Sequence, residues 1–202
     1  MKEQDAVVIA GIILAGGESS RMGVPKHTLE IGGRTLLDKQ LGLLESVGLS
    51  PIFVSVARHA QVDYPVHLLL EDKYPSIGPL GGIATALELE SMADVTHLCV
   101  IAIDLPGIDT ALLAHLISHC TPTSGVIPAH SADSGVEPLC AIYPISSKEV
   151  ALAHIHSKAY AVKDFAERLI NDGSAKRYII PAGEARQFNN VNSPEDFKRH
   201  QP

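Results

Sequence analysis

Residues Val7–Leu14 form an unbroken apolar run that passes directly into Ala15-Gly16-Gly17. A strand with one wet face alternates apolar and polar residues, so a run without alternation suits a strand covered on both sides. Parallel sheets meet that condition, because their crossover connections lay helices over both faces. The rest of the chain follows the same pattern. Thr35–Val47 places Leu36, Leu37, Leu41, Leu44 and Val47 at helical spacing, with Gly48 behind them as a stop signal. Strands are predicted over Pro51–Ala57, Val66–Leu70, Thr96–Ile103, Gly125–Pro128 and Leu139–Tyr143, with extended segments at Tyr178–Ile180 and Phe188–Asn190. Helices are predicted over Leu80–Met92, Asp109–His119, Ser146–His156, Tyr160–Asp172 and Ser193–His200. The first of these opens at Gly78-Pro79; the last is capped by Ser193 with Pro194 in its first turn. Strands that alternate with helices predict an α/β fold with a mostly parallel central sheet and helices on both faces. No repeat or linker interrupts the 202 residues, so one domain is expected over 1–202.

Charge narrows the function classes. A formal net charge of -7 opposes general nucleic-acid binding, which needs a basic face. Three widely spaced cysteines, Cys99, Cys120 and Cys140, fit neither a metal pattern nor a disulfide framework, and they favour a reducing cytoplasm. Glu3 and Asp5 leave the segment before the first apolar run acidic, unlike a secretory signal, and the run is too short to span a bilayer. No membrane association is expected.

Against that acidic background, the loop after the first strand stands out. Gly16 and Gly17 let backbone N–H groups approach an anion closely, and Arg21 and Lys26 add two positive charges. The loop matches neither G-x-x-x-x-G-K-[ST] nor G-x-G-x-x-G, so it is a phosphate cradle of a third kind. Asp72 and Asp104 follow predicted strands, where ligands gather in open α/β sheets. A carboxylate at such a tip beside a triphosphate is a natural anchor for Mg²⁺. His115 and His119 share a predicted helix face but lack a third ligand, and no Ser-His-Asp arrangement can be read from the chain.

These residues resemble the molybdenum cofactor guanylyltransferase family of nucleotidyltransferases. The resemblance is carried by Leu14-Ala15-Gly16-Gly17, Arg21-Met22-Gly23 with Lys26, Glu71-Asp72, Gly78-Pro79-Leu80-Gly81-Gly82-Ile83 and Asp104-Leu105-Pro106. Two later segments extend it, Glu137–Tyr143 and Asn190-Val191-Asn192-Ser193-Pro194-Glu195-Asp196. It implies a three-layer Rossmann-like nucleotidyltransferase fold and transfer of GMP from GTP to the terminal phosphate of molybdopterin or molybdenum cofactor. It further implies that Leu14, Ala15, Gly16, Gly17, Lys26, Ser55, Asp72 and Asp104 bind the nucleotide, with Lys26, Arg21 and Asp104 catalytic and Asp104 holding Mg²⁺. Gly78, Pro79, Gly82, Glu137, Asn190 and Asn192 are implied on the acceptor side. A cytoplasmic monomer in transient contact with other molybdenum cofactor proteins is expected.

Pro25 stands where the family usually has Asp, the loop is one residue short, and Ser55 replaces a frequent Asn. The Pro-Lys ending is shared with cytidylyltransferases, which leaves CMP transfer to molybdenum cofactor or to a sugar-alcohol phosphate as an alternative. A non-catalytic GTP-binding module is the other.

Overall fold

The structure, a computed structural model, describes residues 6–16, 26–56, 69–133, 135–192 and 196–197. Among the described residues seven strands form one sheet: β1 (Ile9–Leu14), β4 (Ile52–Val56), β5 (Leu69–Glu71), β6 (His97–Ala102), β7 (Gly125–Ala129), β8 (Cys140–Pro144) and β9 (Ala175–Ile179). Their order is β5-β4-β1-β6-β8-β7-β9. β8 runs antiparallel to both of its neighbours, while β1–β4, β1–β6, β4–β5 and β7–β9 pair in parallel. The sheet is thus mostly parallel, as expected, with one reversed strand.

Both faces are covered. Ala10 and Ile12 of β1 join a cluster with Leu80 and Ile83 of α2 (Pro79–Leu87), Ala151 of α4 (Lys148–His156) and Phe165 and Leu169 of α5 (Val162–Asn171). Ile9 and Ile13 point the other way, into a second cluster with Leu36, Leu37 and Leu44 of α1 (Leu36–Ser46) and Leu112, Leu113 and Leu116 of α3 (Thr110–Ser118). The apolar run therefore serves two cores at once, and the architecture has three layers. Gly11 is needed for this packing, because a Cβ there would lie 2.9 Å from Leu44 Cδ1.

The helix ends follow local chemistry. Thr35 caps α1 by accepting from Asp38 N, and Gly48 at φ 76° lets Leu49 N donate back to Leu44 O. That is the Schellman arrangement, and it satisfies carbonyls the helix leaves open.

Several boundaries differ from expectation. The helix expected over Leu80–Met92 ends at Leu87, and Leu89 turns extended before a 3-10 turn at Glu90–Met92. That break lets Leu89 and Met92 both pack on the first cluster. β9 starts three residues before the expected Tyr178, because its charged residues hide it; Arg177 of β9 is paired with Glu167 of α5. Phe188 belongs to a 3-10 turn, Ala185–Phe188, and is not extended. The Gln187 side chain fixes that turn by accepting from Asp109 N and donating to Asp109 Oδ2, both at 3.0 Å. A two-stranded ribbon, β2 (Glu30–Ile31) with β3 (Arg34–Thr35), was not foreseen; Gly32 and Gly33 at φ 62° and 75° close its turn. Most of the expected helix 193–200 lies outside the described residues.

Candidate active site

The chain leaves β1 toward β4 through α1 and returns on the opposite side of β1 as β6. The strand order therefore reverses between β1 and β6, and their carboxyl ends open a crevice of the kind that holds ligands. Leu14 ends β1 with its carbonyl accepting from Ile103 N at 3.2 Å, and Ala15 N donates to Ser55 O at 2.9 Å. Gly16, one residue on, is exposed. Gly17 and Arg21 lie outside the described residues.

Lys26 re-enters at a 3-10 turn, Lys26–Thr28. Its Nζ donates to Asp104 Oδ2 at 2.8 Å and to Asn192 Oδ1 at 2.7 Å. Three predicted residues from distant parts of the chain thus meet at one point. Asp104 lies two residues past β6, and its backbone carbonyl accepts from Val191 N at 2.8 Å. Val191 is fully buried, so this bond ties the Asn190–Asn192 segment to the tip of β6. Gln40 supports the same turn from below. Its side chain, 2% exposed within α1, donates to Leu105 O at 2.8 Å. A polar residue in an amphipathic helix reads from sequence as surface, so no sequence signal marks Gln40.

Asp72 belongs to a neighbouring part of the rim. Its Oδ1 accepts from Tyr74 N at 2.7 Å and from the Thr85 hydroxyl at 3.3 Å, and burial pushes its carboxyl above the usual range. The first turn of α2 packs against it. A Cβ on Gly81 would lie 2.6 Å from Asp72 Oδ2 and from Tyr74 O, and one on Gly82 would lie 2.6 Å from Ser55 Oγ. Gly78, at φ 79°, and Pro79 turn the chain into this helix and remain exposed. The glycines thus seat α2 against the tips of β4 and β5.

Glu137 stands between β7 and β8, where its Oε1 is 2.7 Å from His130 Nε2. The His130 ring lies edge-on to Phe188 at 6.3 Å, just before the Asn190–Asn192 segment. Asn190 itself is exposed. A groove of about 530 Å³ elsewhere, between β2–β3, α1 and the start of α3, holds none of the predicted site residues.

The oxygens around Lys26 also bear on metal binding. Among the described residues no group of three or more His, Cys, Asp or Glu could hold a metal. A carboxylate and an amide oxygen nevertheless converge on one cation, the Lys26 ammonium, at 2.8 and 2.7 Å. Hard oxygens on one or two side chains, completed by phosphates and water, are what Mg²⁺ or Mn²⁺ accepts. The donor set fits such an ion. Burial raises all three thiols, Cys120 to about 11 and Cys140 to about 12, so none offers a thiolate near neutrality.

Residues 11–172 match the model of the MobA-like NTP transferase domain. The chain belongs to that family. The match takes in Lys26, Asp72, Asp104 and Glu137, whereas Asn190 and Asn192 lie beyond it. The probable molybdenum cofactor guanylyltransferase of Opitutus terrae is 32% identical over 197 residues, 96% of each chain. Molybdopterin-guanine dinucleotide biosynthesis protein A from Archaeoglobus fulgidus shares the fold, with a TM-score of 0.71 at 24% identity over 95% of this chain and 96% of that one. Rv0371c from Mycobacterium tuberculosis, in complex with manganese, shares it at 18% identity and a TM-score of 0.61, over 96% and 98%. This member of the MobA-like family is accordingly a nucleotidyltransferase, and a fold neighbour is seen with a divalent metal.

Proposed function

We propose that the protein transfers GMP from GTP to the terminal phosphate of molybdopterin or molybdenum cofactor and releases pyrophosphate. An oxygen of the acceptor phosphate forms the new bond to the α-phosphorus of GTP. The bond from that phosphorus to the α,β-bridging oxygen breaks, and pyrophosphate leaves with the electron pair. A phosphate nucleophile needs no strong base, so catalysis rests on alignment and charge neutralisation. The convergence of Lys26, Asp104 and Asn192 at the β1–β6 crevice is the observation that carries this reading.

Lys26 and Arg21 stabilise the triphosphate and the departing pyrophosphate. Leu14, Ala15, Gly16 and Gly17 present backbone to the nucleotide, and Ser55 and Asp72 read its base or ribose side. Asp104, with Asn192 Oδ1 beside it, would hold Mg²⁺, which when bound neutralises charge on the phosphate oxygens. Gly78, Pro79, Glu137, Asn190 and Asn192 bind the acceptor, and Gly82, buried against Ser55, serves that side through the seating of α2. Among the described residues no helix is long and apolar enough to cross a membrane. We place the reaction in the cytoplasm, on a single-domain monomer in transient contact with other molybdenum cofactor proteins.

The test is pyrophosphate release with a molybdopterin acceptor, run with each nucleoside triphosphate and Mg²⁺. GTP should support turnover and raise the melting temperature selectively, by mass action. Preference for CTP would replace guanylyl by cytidylyl transfer. GTP binding without pyrophosphate release would reduce the protein to a nucleotide-binding module.

A further inference from the structure

The loop between β7 and β8 holds an imidazole that the reaction described so far does not use. β6 and β7 both run antiparallel to β8, so their carboxyl ends open on the same rim, and His130 directly follows the end of β7. Its ring is fixed from several directions. Nε2 lies 2.7 Å from Glu137 Oε1. Gly135, at φ 71°, passes so close that a Cβ there would lie 3.3 Å from His130 Cβ and Cδ2. Phe188 meets the ring edge-on, with centroids 6.3 Å apart. The backbone closes around the pair, because His130 N donates to Gly135 O and Glu137 N donates to Pro128 O. The imidazole nonetheless keeps 44% of its side-chain surface exposed, against 26% for Glu137. A side chain so held yet open to solvent is ordered before any ligand arrives, and little freedom is lost on binding.

As a carboxylate Glu137 only accepts, so its bond puts a proton on Nε2 and leaves Nδ1 for a ligand. A bare carboxylate on the acceptor side would repel the acceptor's phosphate, whereas one bonded to a protonated imidazole does not present that charge. We infer that His130 is an acceptor-binding residue: its protonated ring donates from Nε2 to Glu137 and from Nδ1 to an oxygen of the acceptor's terminal phosphate. Glu137 is then a positioning residue, and its part in binding the acceptor is exerted through His130. Carboxylate, imidazolium and phosphate alternate in sign, and both hydrogen bonds are charge-assisted. Phe188, on which the ring rests, stands two residues before Asn190, so the same short segment carries the acceptor-side amides. The inference rests on the transfer reading for the identity of the acceptor.

The experiment is equilibrium dialysis of the full chain against molybdopterin, without nucleotide. His130→Ala should weaken retention at least about tenfold, the scale of losing a hydrogen bond between charged groups. Glu137→Ala should weaken it less. Adding Glu137→Ala to His130→Ala should weaken it no further, since residues that act through one another are not additive. The rise in melting temperature given by GTP and Mg²⁺ should stay at the wild-type value in these variants, which separates a lost ligand contact from a disturbed fold. Unchanged molybdopterin retention in a folded His130→Ala protein would overturn the inference. So would a second loss on adding Glu137→Ala, which would put Glu137 itself on the acceptor, and so would loss of the GTP response together with retention. A wild type that retains no molybdopterin overturns this inference along with the transfer reading; every other failure arises in the variants and leaves that reading standing.

Discussion

Asp104 is one residue with two jobs: its backbone carbonyl accepts from Val191 N, and its carboxylate accepts from Lys26. Removing the side chain alone separates the two. Asp104→Ala should lower turnover by about a hundredfold or more, the cost of losing one electrostatic element, while the Val191 bond and a cooperative melt persist. Pyrophosphate release and thermal unfolding, measured on the same preparation, check both halves. Near-normal Mg²⁺-dependent turnover would remove Asp104 from the mechanism. Asp104 was legible because a carboxylate just past an apolar strand has few structural uses, and Lys26 because it is a cation following a glycine turn in an acidic chain. The resemblance implies Asn192 near the acceptor or the metal, and the structure adds its bond to Lys26. Gln40 was invisible, since its role exists only once α1 lies under the tip of β6.

At the scale of elements, the seating of α2 depends on two glycines with different neighbours. Gly81 faces the Asp72 carboxylate and the Tyr74 backbone carbonyl, while Gly82 faces the Ser55 hydroxyl. Gly81→Ala should cost about 1–3 kcal/mol, the usual scale of overpacking, and should weaken GTP binding by displacing Asp72. Gly82→Ala should cost less and recover in part when Ser55→Ala is added, because the nearest obstructing atom is then gone while Leu14 Cδ2 at 3.1 Å and the residue-55 Cβ at 3.3 Å remain. Melting temperatures of the two single variants and the double variant decide this; equal costs with no recovery would contradict the packing account. The long buried strands β1 and β6 were evident from apolar runs alone. The first half of β9 and the β2–β3 ribbon were not, because a charged edge strand and a two-residue strand carry almost no periodic signal.

For the whole molecule, acid stability turns on a histidine at the opposite end of the sheet from the crevice. His97 opens β6 fully buried, with Nδ1 2.8 Å from Thr96 Oγ1 and the Ser124 backbone offsetting only part of the effect of burial. Burial pushes its imidazole below the usual range, so the folded state resists a proton that the unfolded chain accepts below about pH 6.5. Stability from this site is complete above that value and declines as pH falls toward the lowered folded-state value. The melting temperature should therefore fall between about pH 7 and pH 5.5, and the fall should be shallower in His97→Gln, whatever its stability at neutral pH. Parallel curves for the two proteins would clear His97 of this role.

Lys26 and Asn192 are 166 positions apart in the chain, yet their side chains share a hydrogen bond. Closing so long a loop is among the slow events of folding, because its entropy must be met before the contact gives anything back. The protein should thus acquire most of its backbone structure before it acquires chemistry. In refolding from denaturant, far-ultraviolet dichroism should recover ahead of pyrophosphate release. On this reading a chain emerging from the ribosome would be catalytically silent until Asn192 is free to reach Lys26.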